Sequence, residues 1–220
     1  MPSPSDDGAL TLTERTLVLV RHGQSTDNER NLFSGLRNPD LTDRGVAEAV
    51  QAGRQLKGLG FFFDLAFTSE LSRAQRTLTF MLAELGQSSL KVEKTEALNE
   101  RDYGELAGLN KQEARDRWSS QQVQLWRKSY DAVPPGGESL AMTAERLVPY
   151  YVREIEPQVR AGKRTLVVAH GNSLRALVMH LDGLSAQEVV DVHLATSQKL
   201  VYRFDEHGAV TKKQSILVDI

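Results

Sequence analysis

The sequence predicts a single α/β domain, a three-layer α/β/α sandwich around a mostly parallel central sheet. Three observations carry this. Short apolar runs rich in β-branched residues alternate with stretches of helical periodicity. Two of those runs, residues 17–20 and 165–169, show no polar alternation, as expected of strands covered on both faces. Each leads straight into a His-Gly pair, His22-Gly23 and His170-Gly171, and then into polar helix-start residues. With 220 residues and 40% hydrophobic content, the chain is long enough for one sizeable core, expected over residues 14–220.

In chain order, residues 1–13 are polar, with two prolines and no apolar core. They read as a flexible lead-in rather than a secretory signal. Residues 17–20 are too few for a buried helix and read as a central strand ending at Arg21-His22-Gly23. Gly23 can adopt φ values closed to other residues, so the backbone can turn there or pass close to a ligand. Ser25 and Asn28 can cap a turn or bind an anion. Leu41-Thr42 starts a helix with Val46, Val50, Gly53 and Leu56 on one face, closed by Gly58. The Phe61-Phe62-Phe63 run reads as core, and the next strand as Leu65-Ala66-Phe67. Ser69 is expected to cap a helix with apolar Leu71, Ala74, Leu78, Met81, Leu82 and Leu85, ended by Gly86. Arg73 falls in its first turn, again at a strand's C-terminal rim. Residues 90–95 form a weaker strand. Asn110 opens a helix expected to reach Lys128. Residues 134–137 read as a mobile loop. Ser139 opens a helix that Pro149 should kink near Tyr150. A helical pattern follows His170, and Ser185-Ala186-Gln187-Glu188 has capping-box form. Residues 200–204 read as the last strand.

Composition excludes several classes. No segment approaches the ~18 consecutive apolar residues of a membrane span. A net charge of -2 offers no general attraction to nucleic acid or anionic lipid, so neither is expected as a partner. Any anion site must be built locally. The absence of cysteine rules out disulfide and thiol chemistry and fits the cytoplasm. Five histidines without cysteine support or His-x-Glu spacing point to no metal centre. His180, His193 and His207 read as structural or exposed. Two parallel strands ending in His-Gly would instead present both imidazoles on one rim, where open α/β sheets bind ligands.

At these residues the chain resembles a known family. Arg21-His22-Gly23 with the later His170 resembles the histidine phosphatase superfamily. Further blocks resemble its bisphosphoglycerate-dependent phosphoglycerate mutases, in their short bacterial form: Leu98-Asn99-Glu100-Arg101-Asp102-Tyr103-Gly104, Gly108-Leu109-Asn110-Lys111, Trp126-Arg127-Lys128-Ser129-Tyr130-Asp131, Pro134-Pro135-Gly136-Gly137-Glu138-Ser139 and Ala169-His170-Gly171-Asn172-Ser173-Leu174-Arg175-Ala176. The resemblance runs from about Thr16 to Phe204. It implies interconversion of 3-phosphoglycerate and 2-phosphoglycerate through a phosphohistidine, with 2,3-bisphosphoglycerate as primer and intermediate and no metal. It also allows a homodimer.

The resemblance puts His22 in the nucleophile role, His170 in that of transition-state stabiliser and Glu100 in that of general acid and base. A histidine attacks phosphorus as neutral imidazole. The phosphoryl group brings about two negative charges at neutral pH. Arg21, Arg73 and His170, with backbone N–H groups near Gly23 and Gly171, could surround its oxygens. The family's substrate contacts carry over to Ser34, Gly35, Arg101, Tyr103, Lys111, Arg127, Lys128 and Asn172. Four departures stand out. Thr26-Asp27-Asn28 replaces the usual Glu-Trp-Asn, and Ser34-Gly35-Leu36 replaces Thr-Gly-Trp. Arg127-Lys128 replaces paired arginines, and Thr196-Ser197-Gln198-Lys199 replaces Thr-Gly-Val/Ile-Pro. The rival function is a phosphatase on the same fold, in which water takes the phosphoryl group from His22. A second rival is a non-catalytic phospholigand-binding protein. The combination of His22, Glu100 and His170 argues against it, because binding alone needs no proton donor.

Overall fold

The computed structural model describes residues 15–218; the expected lead-in over residues 1–13 lies outside them. The elements follow in order: β1 (Arg15–Arg21), α1 (Thr26–Glu29), α2 (Asp43–Gly58), β2 (Leu65–Thr68), α3 (Ser72–Leu85) and β3 (Val92–Lys94). Then come α4 (Lys111–Trp118), α5 (Ser120–Lys128), α6 (Leu140–Tyr150), α7 (Glu156–Arg160), β4 (Thr165–Ala169), α8 (Gly171–Asp182), α9 (Ala186–Val189), β5 (Lys199–Phe204) and β6 (Val210–Ile216). The strands form one six-stranded sheet in the order β3-β2-β4-β1-β5-β6. β1, β2, β3 and β4 run parallel, and β5 and β6 are antiparallel additions.

The side-chain period of two splits each central strand between two cores. Leu17 and Leu19 pack with Leu147, Ile155, Leu174 and Leu177 on the face covered by α6, α7 and α8. Val18 and Val20 pack with Ala52, Leu56, Leu78 and Met81 on the face covered by α2 and α3. That double covering is why the strands read as unbroken apolar runs. α2 and α3 approach closely because Gly53 lacks a side chain: a Cβ there would lie 2.8 Å from the Met81 carbonyl oxygen.

Several sequence expectations change on folding. The buried face of α2 is formed by Gly45, Glu48, Ala49, Ala52, Gly53 and Leu56, with Val46 and Val50 only partly covered. Small residues win the buried positions because a neighbouring helix lies so close. Gly58 is the last helical residue, and Leu59 is the cap. Leu71, not Ser69, stands at the N-cap of α3. The expected helix from Asn110 to Lys128 is two helices, broken at Ser119, whose φ of 76° ends one and whose hydroxyl caps the next. At Pro149, where a kink is expected near Tyr150, the helix continues with altered geometry. α6 passes through a π-helical turn, Tyr151–Ile155, into α7. Pro149 and Pro157, which lack an N–H, flank that wider turn. β6, not β5, is the last strand. It is an exposed edge with a mostly polar sequence, so it carries no apolar pattern. Of the three phenylalanines only Phe63 is fully buried, and Phe62 is 50% exposed beneath the Arg164 guanidinium. The loop over residues 134–137 is tied to the segment beside it. Its Pro135 carbonyl accepts from Glu105 N–H, and Glu138 N–H donates to Asp102 O.

The Thr-Ser departure has a structural cost. Ser197 has a φ of 54°, a left-handed conformation that glycine adopts freely. Its buried hydroxyl has no hydrogen-bond partner among the described residues. Ser197→Gly is therefore expected to stabilise the fold by about 1 kcal/mol. Thermal unfolding should show Tm rising by about 2–4 °C. An unchanged or lower Tm removes this account of strain.

Candidate active site

The parallel register decides where the histidines meet. Arg21 lies opposite Ala169, so His22 and His170 leave the sheet side by side at its C-terminal rim. His22 N–H donates to the Ala169 carbonyl at 2.9 Å. The two rings lie with centroids 5.0 Å apart, tilted by 59°. Gly23 does not take a left-handed φ; its role is close approach. A Cβ there would lie 2.3 Å from the Gly45 carbonyl oxygen, so β1 can pass the start of α2 only with glycine.

His22 is 3% exposed. Its Nδ1 lies 2.7 Å from the Gly23 carbonyl, which can only accept, so the ring hydrogen is on Nδ1. Nε2 keeps its lone pair and accepts from Arg73 Nε at 3.3 Å. Burial, then the charges of Arg73 and Arg21, hold its pKa well below the ordinary 6.5. The ring is neutral at pH 7, the form a nucleophile needs. His170 is also held neutral, by burial first and then by Arg73, His22, Arg21 and Arg146. Its Nε2 lies 2.7 Å from Ser69 Oγ. That hydroxyl also accepts from Leu71 N–H, which ties the His170 ring to the start of α3. His170 Nδ1 is buried and has no hydrogen-bond partner among the described residues.

Two arginines flank the rings. Arg73 donates to the carbonyls of Arg37 at 2.8 Å and Gly35 at 3.1 Å. Burial lowers its pKa to about 10, still charged at pH 7. Arg21 is likewise lowered by burial, against the opposing pull of Glu100. It donates through Nη1 to Leu194 O at 2.6 Å, while its buried Nε has no partner among the described residues. Glu100 Oε1 accepts from Arg101 N–H at 2.8 Å and Asn172 N–H at 3.1 Å. Its Oε2 faces Gly171, where a Cβ would sit 3.8 Å from that oxygen and 3.7 Å from Arg21 Nε. Glycine thus leaves the wall open between a cation and a carboxylate.

These groups open onto a cavity of about 190 Å³. Of the sequence candidates, Arg21, His22, Asn28, Ser34, Gly35, Arg73, Glu100, Tyr103, Lys111, Arg127, Lys128, Gly171 and Asn172 line it. His170, fully buried beside His22, is not on the wall. Three further candidates do not reach the wall. Gly23 packs against α2. Ser25 and Asn28 cap α1 reciprocally, and only Asn28 faces the cavity. Arg101, 1% exposed, turns away and donates to the carbonyls of Glu138 at 2.6 Å and Ala132 at 3.3 Å. Conversely, sequence reasoning missed Arg175 and His193 on the wall. Arg175 was detectable, because it follows Asn172 by three residues on the same helix face. His193 carried no local signal. Its loop is held by Arg175, which donates to Val192 O at 3.1 Å, and by Arg21 on Leu194 O. Among the described residues, no three His, Asp or Glu side chains gather as a metal site, and no helix is long and apolar enough to cross a membrane.

The family model of the histidine phosphatase superfamily (branch 1) matches residues 17–216. A 2,3-bisphosphoglycerate-dependent phosphoglycerate mutase of Methylobacterium radiotolerans is 58% identical over 207 residues, 94% of this chain and 98% of that protein. The protein of the same name from Bradyrhizobium diazoefficiens is 57% identical over 202 residues, 92% of this chain and 98% of the relative. Among solved structures, the alpha-ribazole phosphatase from Shigella flexneri superposes with a TM-score of 0.78 at 24% identity, covering 93% of this chain and 96% of that one. A mycobacterial glucosyl-3-phosphoglycerate phosphatase does so with a TM-score of 0.77 at 23% identity, covering 94% and 99%. These two share the fold.

Proposed function

The chain belongs to the histidine phosphatase superfamily, and from that premise we infer that it is a 2,3-bisphosphoglycerate-dependent phosphoglycerate mutase, interconverting 3-phosphoglycerate and 2-phosphoglycerate. The observation that carries the reading is the 57–58% identity to mutases over more than nine-tenths of the chain, whereas the phosphatases share the fold at 23–24%. The site supports it with a neutral His22 between two arginines and a carboxylate across the opening.

In this reading, Glu100 takes the proton from the free hydroxyl of a monophosphoglycerate as that oxygen attacks the phosphoryl group carried on His22 Nε2. The P–N bond breaks and a P–O bond forms. Arg21 and Arg73, with His170 beside His22, stabilise the charge on the equatorial oxygens. The bisphosphate formed turns over in the cavity. His22 Nε2 attacks its other phosphorus, and Glu100 returns the proton to the leaving oxygen. 2,3-Bisphosphoglycerate is therefore both primer and intermediate, and no metal takes part. Lys111, Arg127, Lys128 and Arg175 offer charge to whichever group is not reacting. We place the reaction in the cytoplasm, with no nucleic-acid or membrane partner; a homodimer is compatible with it. The test is a mutase assay with and without added 2,3-bisphosphoglycerate, following free phosphate in parallel. Phosphate release that outpaces isomerisation would favour the phosphatase.

Lys128 refines that test. Its Nζ lies at the cavity mouth, 3.8 Å from Asp191 Oδ1, with the two side chains 35% and 84% exposed. A lysine offers a compact charge where arginine offers a planar fork. Lys128→Arg is expected to raise the mutase-to-phosphatase ratio. Lys128→Ala is expected to raise KM by about tenfold, the lower end of what a charged hydrogen bond contributes. Steady-state kinetics on 3-phosphoglycerate checks both, and wild-type values for both variants would make Lys128 a solvated helix end.

A further inference from the structure

Glu100 sits on backbone that no ladder supports, between the short 3-10 turns Glu96–Leu98 and Gly104–Leu106. What gathers that segment is Arg146, 46 residues further along on α6. Its Nη1 donates to Ala97 O at 2.8 Å and Glu96 O at 3.2 Å. Its Nη2 donates to Asn99 O and to Glu100 O, each at 3.0 Å. The same guanidinium grips the Glu138 carboxylate, Nε to Oε1 at 3.0 Å and Nη2 to Oε2 at 3.2 Å. Glu138 then closes the far end of the segment. Its Oε2 accepts from Asp102 N–H at 3.2 Å, and its backbone carbonyl accepts from Arg101 Nε at 2.6 Å. Burial raises the Glu138 pKa, but hydrogen bonding and charge from Arg146 outweigh it, so the carboxylate stays ionised. Neither Arg146 nor Glu138 lines the cavity.

We propose that Arg146 and Glu138 are positioning residues for Glu100, setting the carboxylate for proton transfer through the backbone of residues 96–102. The inference rests on the reading of Glu100 as the proton carrier. The geometry favours it over general support because so many donors of one side chain converge on the single irregular segment that carries Glu100. A proton carrier must sit within hydrogen-bond reach of the reacting oxygen, and misplacement by about 1 Å can cost on the order of 10²-fold in rate. Lysine keeps the charge at this position but cannot span the carbonyls and the carboxylate together.

The experiment is a double-mutant cycle on the full chain, assayed as the mutase well below the Tm of each variant. Arg146→Lys is expected to lower kcat by about 10- to 100-fold with KM within about threefold of wild type. In the Glu100→Gln background, where no proton carrier is left to position, the same change is expected to lower kcat by less than about threefold. Glu138→Gln, which keeps the shape, should show the same pattern at smaller size. It decides the matter if Arg146→Lys does not fold. An equal loss in both backgrounds, or a rise in KM with kcat unchanged, overturns the proposal. If Glu100→Gln itself keeps wild-type turnover, the reading of Glu100 fails and the positioning role falls with it. If Glu100→Gln is impaired and the cycle is additive, the positioning role alone fails.

Discussion

His22→Ala is expected to abolish both turnover and covalent labelling. The His22 ring is neutral, its Nδ1–H is held by the Gly23 carbonyl, and its Nε2 lone pair faces Arg73. Nε2 is therefore the only ring nitrogen free to accept a phosphoryl group. Incubation with labelled 2,3-bisphosphoglycerate should place an acid-labile, alkali-resistant label on Nε2. Removing the nucleophile of a covalent mechanism costs on the order of 10⁶-fold in kcat, and no neighbouring side chain offers a second one. His170 is not a ready substitute, because its ring lies off the cavity wall and its Nε2 is hydrogen-bonded to Ser69 Oγ. An acid-stable label, or labelling undiminished in His22→Ala, would show that the covalent step runs elsewhere.

Glu100→Gln is expected to lower mutase turnover by about 10²–10⁴-fold, the usual worth of general acid–base catalysis. The substitution keeps the volume, and the amide oxygen can still accept from Arg101 and Asn172 N–H. Binding should change little, so the loss should fall on kcat. The amide cannot take a proton from the attacking hydroxyl or return one to the leaving oxygen. Stopped-flow measurement of His22 phosphorylation and its decay would locate the defect in both half-reactions. Near wild-type kcat would reduce Glu100 to a wall residue.

Much of the fold could be read directly, because its signals are local. The centres of β1 and β4, residues 17–20 and 166–169, are buried on both faces and so are apolar. Thr42, Asn110, Ser139 and Ser185 cap the helices they precede, since each side-chain oxygen meets N–H groups two or three residues ahead. The polar edge strand β6 and the break at Ser119 were not legible. The first buries no apolar face, and the second is a backbone conformation that no residue type marks.

The division at the site follows the same logic. By itself the sequence determined that two histidines end two buried strands, and that arginines, lysines and a glutamate stand near them in family order. Only the tertiary structure decided which cations face the cavity. Arg101 and Arg175 each lie close in sequence to a cavity residue. Yet backbone carbonyls distant in sequence, those of Glu138 and Ala132, claim the donors of Arg101, while Arg175 keeps a place on the wall. His193 arrives on a loop held by carbonyl bonds to Arg21 and Arg175. Capping and periodicity act over a few residues and are written in residue types. The direction of a long charged side chain is set by which acceptors, many residues away, the completed fold brings within about 3 Å of it.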